Sequence, residues 1–166
     1  MNVSLKAKLG RISLDNPVLV ASGTFGYGEE YASLIDLNKL GGIITKTVTL
    51  QPRKGNPPPR LAETPAGLLN AIGLENPGID VFLKEKLPFL NQFEAALIVN
   101  IAGEKEEDYL SLAERLNEKE RIDALEINIS CPNVKKKGLI FGTHPERTFS
   151  LVKKLREVTN IPLIIK

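Results

Sequence analysis

Cys131 is the only cysteine in the 166 residues. It follows closely on an apolar run that ends at Asn128, and Pro132-Asn133 comes next; Pro132 stiffens the segment and removes a backbone donor. A thiolate there could serve as nucleophile or general base, its pKa lowered by nearby lysines. A lone cysteine can equally be a small buried hydrophobe. Position alone leaves both open.

Other polar residues stand where apolar runs stop. Val18-Leu19-Val20-Ala21 passes into Ser22-Gly23-Thr24, the run after Gly41-Gly42 carries Lys46-Thr47, and three later runs end at Asn100, Asn128 and Lys166. Lys46 and Lys166 suit an anionic carboxylate, a phosphate or an electron-rich ring. Asn100 and Asn128 offer donors and acceptors without charge, as the amide edge of a heterocycle requires. Gly23 and Gly73 permit close approach of backbone to a planar ligand. The turn-rich segment Asn70-Ala71-Ile72-Gly73-Leu74-Glu75-Asn76-Pro77-Gly78 sets Asn70 on a loop. No metal-ligand cluster is evident, and the single histidine, His144, reads as part of a helix cap.

These groups converge only if the runs are parallel strands, because ligands of parallel α/β folds bind at the carboxyl ends of the strands. Strands are expected at Val18–Ala21, Ile43–Val48, Ala95–Asn100, Ala124–Asn128 and Pro162–Lys166. Each is short, apolar or β-branched, and separated from the next by a helical pattern or a loop. Leu5–Leu9 and Arg11–Leu14, divided by Gly10, read as a preceding antiparallel hairpin.

Leu110, Ala113 and Leu116 form a stripe on one helix. Thr143-His144-Pro145-Glu146 reads as a capping box with proline at the first helical position, followed by an apolar face of Phe149, Val152 and Leu155. Pro77-Gly78 opens a further helix towards Leu90 that Pro88 should kink. The span from Thr49 to Ala66 holds Pro52, Pro57, Pro58, Pro59 and Pro65 and is expected to be an irregular functional loop.

The bulk properties narrow the field. The length suits one domain, residues 1–166, and the 42% hydrophobic and 25% charged content is that of a globular protein. A net charge of +2 from interleaved residues argues against a nucleic-acid partner; Lys135-Lys136-Lys137 reads as a solvated loop. No run approaches the ~18 apolar residues of a membrane span. The start lacks a signal-peptide core, and one cysteine suits a reducing compartment, so a cytoplasmic protein is expected.

The run Asn128-Ile129-Ser130-Cys131-Pro132-Asn133 closely resembles the catalytic-loop motif of class 1 dihydroorotate dehydrogenases. The likeness continues in order through Asn16-Pro17, Ala21-Ser22-Gly23-Thr24, Thr45-Lys46-Thr47, Asn70–Leu74, Asn76-Pro77-Gly78, Asn100-Ile101-Ala102-Gly103 and Lys166. It implies an FMN-containing (β/α)8 TIM barrel that oxidises dihydroorotate to orotate in pyrimidine biosynthesis. On that resemblance Cys131 is the general base at C5 of dihydroorotate, while hydride passes from C6 to N5 of the flavin. Serine replaces this cysteine in the membrane-associated class. Ser22, Lys46, Thr47, Asn100, Asn128 and Lys166 match FMN-contacting positions. Lys46, Asn70, Ala71, Ile72, Gly73, Leu74 and Asn128 match substrate-contacting ones.

Val134-Lys135-Lys136-Lys137-Gly138 with Phe141-Gly142 looks like subclass 1B. That subclass implies a homodimer and a partner subunit carrying FAD and a [2Fe-2S] cluster, through which electrons reach NAD. The relatives are about twice as long, and in barrels of this kind the loops after strands seven and eight grip the phosphate. The sequence is therefore expected to be the N-terminal portion of the barrel, with five or so parallel strands, and to bind FMN weakly or not at all when alone. Alternatives are a catalytically silent half-barrel that assists assembly, a fumarate-linked class 1A enzyme, or a related flavin-dependent pyrimidine reductase.

Overall fold

In a computed structural model of the chain, residues 3–119, 121–130 and 141–166 are described. Five short strands form one parallel sheet: β3 (Leu19–Val20), β4 (Gly42–Ile44), β7 (Ala96–Ile101), β8 (Ala124–Ile127) and β9 (Leu163–Ile165), hydrogen-bonded in that order. Spatial order follows chain order, so each crossover brings the next strand alongside the last, as in successive staves of an α/β barrel.

A parallel sheet buried on both faces needs apolar residues at every position, but the two faces here differ. On one face, Leu97, Val99, Ile101, Leu125 and Ile127 pack against α3 (Glu106–Asn117) and α4 (Pro145–Val158) in the main core. On the other, Ala96, Ile98 and Ala124 form a smaller core with Ile12 and Leu14. Ile12 and Leu14 belong to β2 (Ile12–Leu14), which pairs antiparallel with β1 (Ala7–Leu9); this is the expected hairpin, closing the amino-terminal end of the sheet's concave side. Successive residues alternate faces along a strand. Following Ala96 and Ile98 towards the carboxyl end therefore brings Asn100 to that inner face. The same step from Ala124 brings Glu126 and then Asn128, and from Ile164 it brings Lys166. An apolar layer gives way to a polar one.

Four expectations change. The span from Thr49 to Ala66 is not wholly irregular: β5 (Leu61–Thr64) lies within it and pairs antiparallel with β6 (Gly67–Asn70). Its prolines precede the pairing residues or sit at the turn, so none removes a ladder donor. The inward stripe of α3 is Tyr109, Leu112, Ala113 and Leu116, with Leu110 only partly buried. Helix α4 starts at Pro145 as expected, but its N-cap is His144 with no side-chain cap bond, so the capping box from Thr143 does not form. Its buried face is Leu151 and Leu155, while Phe149 is 70% exposed.

The helical stretch after Pro77 runs through α1 (Gly78–Val81), a π-helical turn over Phe82–Lys86, and α2 (Leu87–Leu90). Pro88 falls in α2 and cannot donate to the turn before it, which accounts for the widened turn there. Among the described residues no helix is long and apolar enough to cross a membrane.

Candidate functional site

The polar layer opens into a cavity of about 380 Å³ lined by Ser22, Gly23, Thr24, Lys46, Thr47, Asn70, Ile72, Gly73, Leu74, Glu75, Asn128, Ser130 and Lys166. Ser22, Lys46 with Thr47, Asn128 and Lys166 come from the carboxyl ends of β3, β4, β8 and β9. The loop from Asn70 supplies the facing wall. Residues up to 144 positions apart thus meet in one place; of the five strand ends expected to converge, that at Asn100 does not reach the lining. Ala71 is half-buried but is not part of the lining. Cys131 and the segment Pro132–Gly138 lie outside the described residues.

Backbone pairing holds the lining in register. Beyond the strands proper, Lys166 donates its amide to Ile127 and Ile129 donates to Lys166, both at 3.0 Å, and Asn128 donates to Ile101 at 2.9 Å. The Lys46 amide donates to Gly26 at 2.8 Å. The buried Thr45 hydroxyl accepts from the amide of Asn100 at 3.1 Å. From outside the sheet, the hydroxyl of the fully buried Tyr109 donates to the carbonyl of Asn128 at 2.7 Å.

The loop wall has its own anchor. Asn76, 4% exposed, accepts through Oδ1 from the Thr49 amide and the Gly78 amide. Its Nδ2 donates to the Leu74 carbonyl at 2.8 Å and to Thr49 Oγ1 at 2.9 Å. One side chain therefore ties together both ends of the 49–76 insertion. Leu74 itself takes φ 57°, a left-handed conformation that side chains with a Cβ rarely adopt, and Gly73 before it takes φ 76°.

The two glycines expected to admit a ligand differ. A Cβ at Gly73 would come within 2.8 Å of the Asn56 backbone nitrogen, so glycine there is demanded by the protein's own packing. A Cβ at Gly23 would meet nothing within 4 Å, and its φ of 85° presents bare backbone to open space.

Beneath the lining sits a residue the sequence reading passed over. Glu126, 6% exposed, is the only charged residue of β8 and lies in register with Asn100 on β7. Its Oε1 accepts from the Ser22 hydroxyl at 2.6 Å and from Asn100 Nδ2 at 2.5 Å, and lies 3.7 Å from Lys166 Nζ. Lys166 Nζ in turn donates to Ser22 Oγ. Asn100 does not line the cavity; it is fully buried and linked to the lining through Glu126, and its Oδ1 has no partner among the described residues. A charge within an otherwise apolar buried strand was the available signal.

At the cavity's edge Glu75 lies 4.0 Å from Lys46 Nζ and 3.1 Å from Arg60 Nη1. The site as a whole offers two ammonium groups, amide and hydroxyl partners, and an open backbone turn, groups whose chemistry suits an anionic, planar, hydrogen-bonding molecule.

The family model for dihydroorotate dehydrogenase matches residues 4–166. The chain belongs to that family. It is 52% identical over 166 residues to the dihydroorotate dehydrogenase B (NAD(+)) catalytic subunit of Desulforudis audaxviator, covering all of this chain and 54% of that one. The protein of the same description from Thermoanaerobacter pseudethanolicus is 49% identical over 164 residues, 99% of this chain and 54% of its own length. The chain thus spans about half the length of the curated relatives it matches. Its backbone also matches the crystal structure of DHODH in complex with ferulenol from Eimeria tenella. The TM-score is 0.76 at 23% identity, over 93% of this chain and 43% of that one. That likeness establishes the fold: the sheet is an arc of the family's TIM barrel, as the strand count and preceding hairpin suggested.

Proposed function

We propose that this chain forms the substrate-facing part of an FMN-dependent dihydroorotate dehydrogenase catalytic subunit, which oxidises dihydroorotate to orotate. The observation that carries the reading is the meeting of Ser22, Lys46, Thr47, Asn70, Asn128 and Lys166 around one cavity at the strand ends. The residues present fit a flavin. A ring imide and ribityl hydroxyls are donors, which the Ser22 oxygen and the amide oxygens of Asn70 and Asn128 on the lining can accept; two lysines complement carbonyl oxygens and negative charge.

In this reading Ser22, Lys46, Thr47, Asn128 and Lys166 hold FMN, and Asn100 supports them from beneath. Lys46, Asn128 and the loop Asn70–Leu74 bind dihydroorotate, with Ala71 contributing to the loop's shape from behind the lining. Lys46 meets the carboxylate charge. Asn76 keeps the loop's left-handed turn at Leu74 in place, which sets the distance between the loop wall and the strand ends. Bound FMN supplies the hydride acceptor. Cys131 takes the proton from C5 as hydride leaves C6, and orotate is left with a C5–C6 double bond. The general-base role rests on the motif Asn128–Asn133.

The relatives' description as NAD(+)-linked B catalytic subunits supports a partner subunit and NAD as electron acceptor; that this partner carries FAD and a [2Fe-2S] cluster, and that the protein assembles as a homodimer, rests on the sequence resemblance to subclass 1B. The test uses the full gene product that contains this sequence. It should bind FMN and orotate, and reduce NAD with dihydroorotate when the partner subunit is present. Fumarate reduction without a partner would reassign the acceptor, and absence of flavin would refute the reading.

A further inference from the structure

We infer that Glu126 is a positioning residue that fixes the hydrogen-bond polarity and the charge of the flavin-side wall. The inference rests on the reading of the cavity as a flavin site. Carboxylates are rarely buried unless paired, and an apolar residue in place of a buried ion pair commonly costs no stability. The layer beneath shows that this strand can be apolar, since Ala124 fills the same face one step down. Glu126 instead takes partners from three other strand regions: Ser22 after β3, Asn100 in β7 and Lys166 after β9.

An ionised carboxylate only accepts hydrogen bonds. The Ser22 proton is therefore committed to Glu126, and one Ser22 lone pair already receives Lys166 Nζ. What Ser22 has left for the cavity is an acceptor. The Asn100 amide is turned the same way: Nδ2 faces the carboxylate, and flipping it would set oxygen against oxygen, so Oδ1 stays the unmet acceptor. Glu126 thus draws the donors inward and leaves the Ser22 oxygen on the cavity lining as an acceptor for a ligand that carries N–H or O–H donors at that wall. Its negative charge also offsets the Lys166 ammonium, so bound flavin meets a nearly neutral pair instead of a lone cation.

The test compares FMN dissociation constants and flavin midpoint potentials of the full gene product, as wild type and as Glu126→Gln. The glutamine is near in shape but brings a donor and removes the charge. FMN binding should weaken by about tenfold or more, the scale of a lost charge-assisted hydrogen bond, and the potential should rise as uncompensated Lys166 favours reduced anionic flavin. Unchanged affinity and potential would overturn the inference while leaving the flavin site intact. A loss of affinity that only tracks thermal stability, with the potential unmoved, would overturn it too, because it would make Glu126 merely structural. If Glu126→Gln does not fold, Glu126→Asp carries the test. It keeps the charge on a shorter arm, so the potential should hold while FMN binds several-fold more weakly; wild-type affinity there overturns the inference. A wild type that binds no FMN removes both this inference and the proposed function.

Discussion

The Tyr109 hydroxyl on α3 and the Asn128 carbonyl at the end of β8 are joined by a 2.7 Å hydrogen bond in a fully buried position. A helix on the outside of the sheet thereby fixes the first residue of the motif that carries Cys131. The Tyr109 ring also meets Phe141 edge-on at 5.7 Å, which ties the same helix to the chain that precedes α4.

Tyr109→Phe keeps the ring and removes the hydroxyl. It leaves a buried carbonyl without this donor, a loss of about 1–3 kcal/mol. Urea denaturation should show that loss. The binding of orotate, which is proposed to rest on Asn128, should weaken in the same variant. A variant as stable as wild type would mean the carbonyl finds another partner.

Asn76→Ala cuts both ends of the 49–76 insertion free at once. Several buried backbone groups lose their partner, so destabilisation of at least ~2 kcal/mol is expected. Limited proteolysis should then cut within 49–76 before it cuts elsewhere. Resistance equal to wild type would show that the β5–β6 hairpin holds the insertion unaided.

Glu75→Gln removes the anion beside Lys46 and Arg60. Both pairs are partly exposed, so stability should change by less than about 1 kcal/mol. Orotate affinity, measured calorimetrically at low ionic strength, should increase, because Lys46 no longer shares its charge with a carboxylate of the protein. Weaker binding would show instead that Glu75 is needed to aim Lys46.

Tyr27 sets an alkaline limit. Burial, with a smaller push from Glu30, holds its phenol well above the ordinary value of 10.0. The folded state therefore keeps the proton more tightly than the unfolded one. The resulting stability is fully present below about pH 10, where unfolded tyrosine ionises, and is lost as pH rises from there towards the folded value. Tyr27→Phe should flatten the fall in stability above that pH. At neutral pH it should cost little, since the hydroxyl's contact with the Thr47 carbonyl is a long 3.5 Å.

The parallel strands were legible because each is an apolar run flanked by a turn or a helical pattern, and residues such as Ser22, Lys46 and Lys166 interrupt that pattern at matching places. The hairpin was not: Leu61–Thr64 and Gly67–Asn70 contain one β-branched residue, Thr64, and are exposed throughout, so no alternation marks them. Helix α4 starts at Pro145 and buries Leu155 as expected, but its face is rotated, because Phe149 marks a side of the helix that is exposed while Leu151 joins Leu155 in the contact. Glu126 was missed because a single glutamate in a short strand looks like a solvent-facing residue until the register sets it opposite Asn100. Gly73 lines the cavity, but the reason it must be glycine is its contact with Asn56, which only the folded insertion creates.

The central claim is that this cavity serves dihydroorotate oxidation with Cys131 as base. The most direct test is anaerobic addition of dihydroorotate to the flavin-loaded full gene product, followed by stopped-flow absorbance in the flavin band, for wild type and Cys131→Ser. The account predicts rapid bleaching in the wild type and bleaching slower by about 10²–10⁴-fold in a variant that still holds its flavin. Flavin that stays oxidised in the wild type, or equal rates in the two proteins, would contradict it.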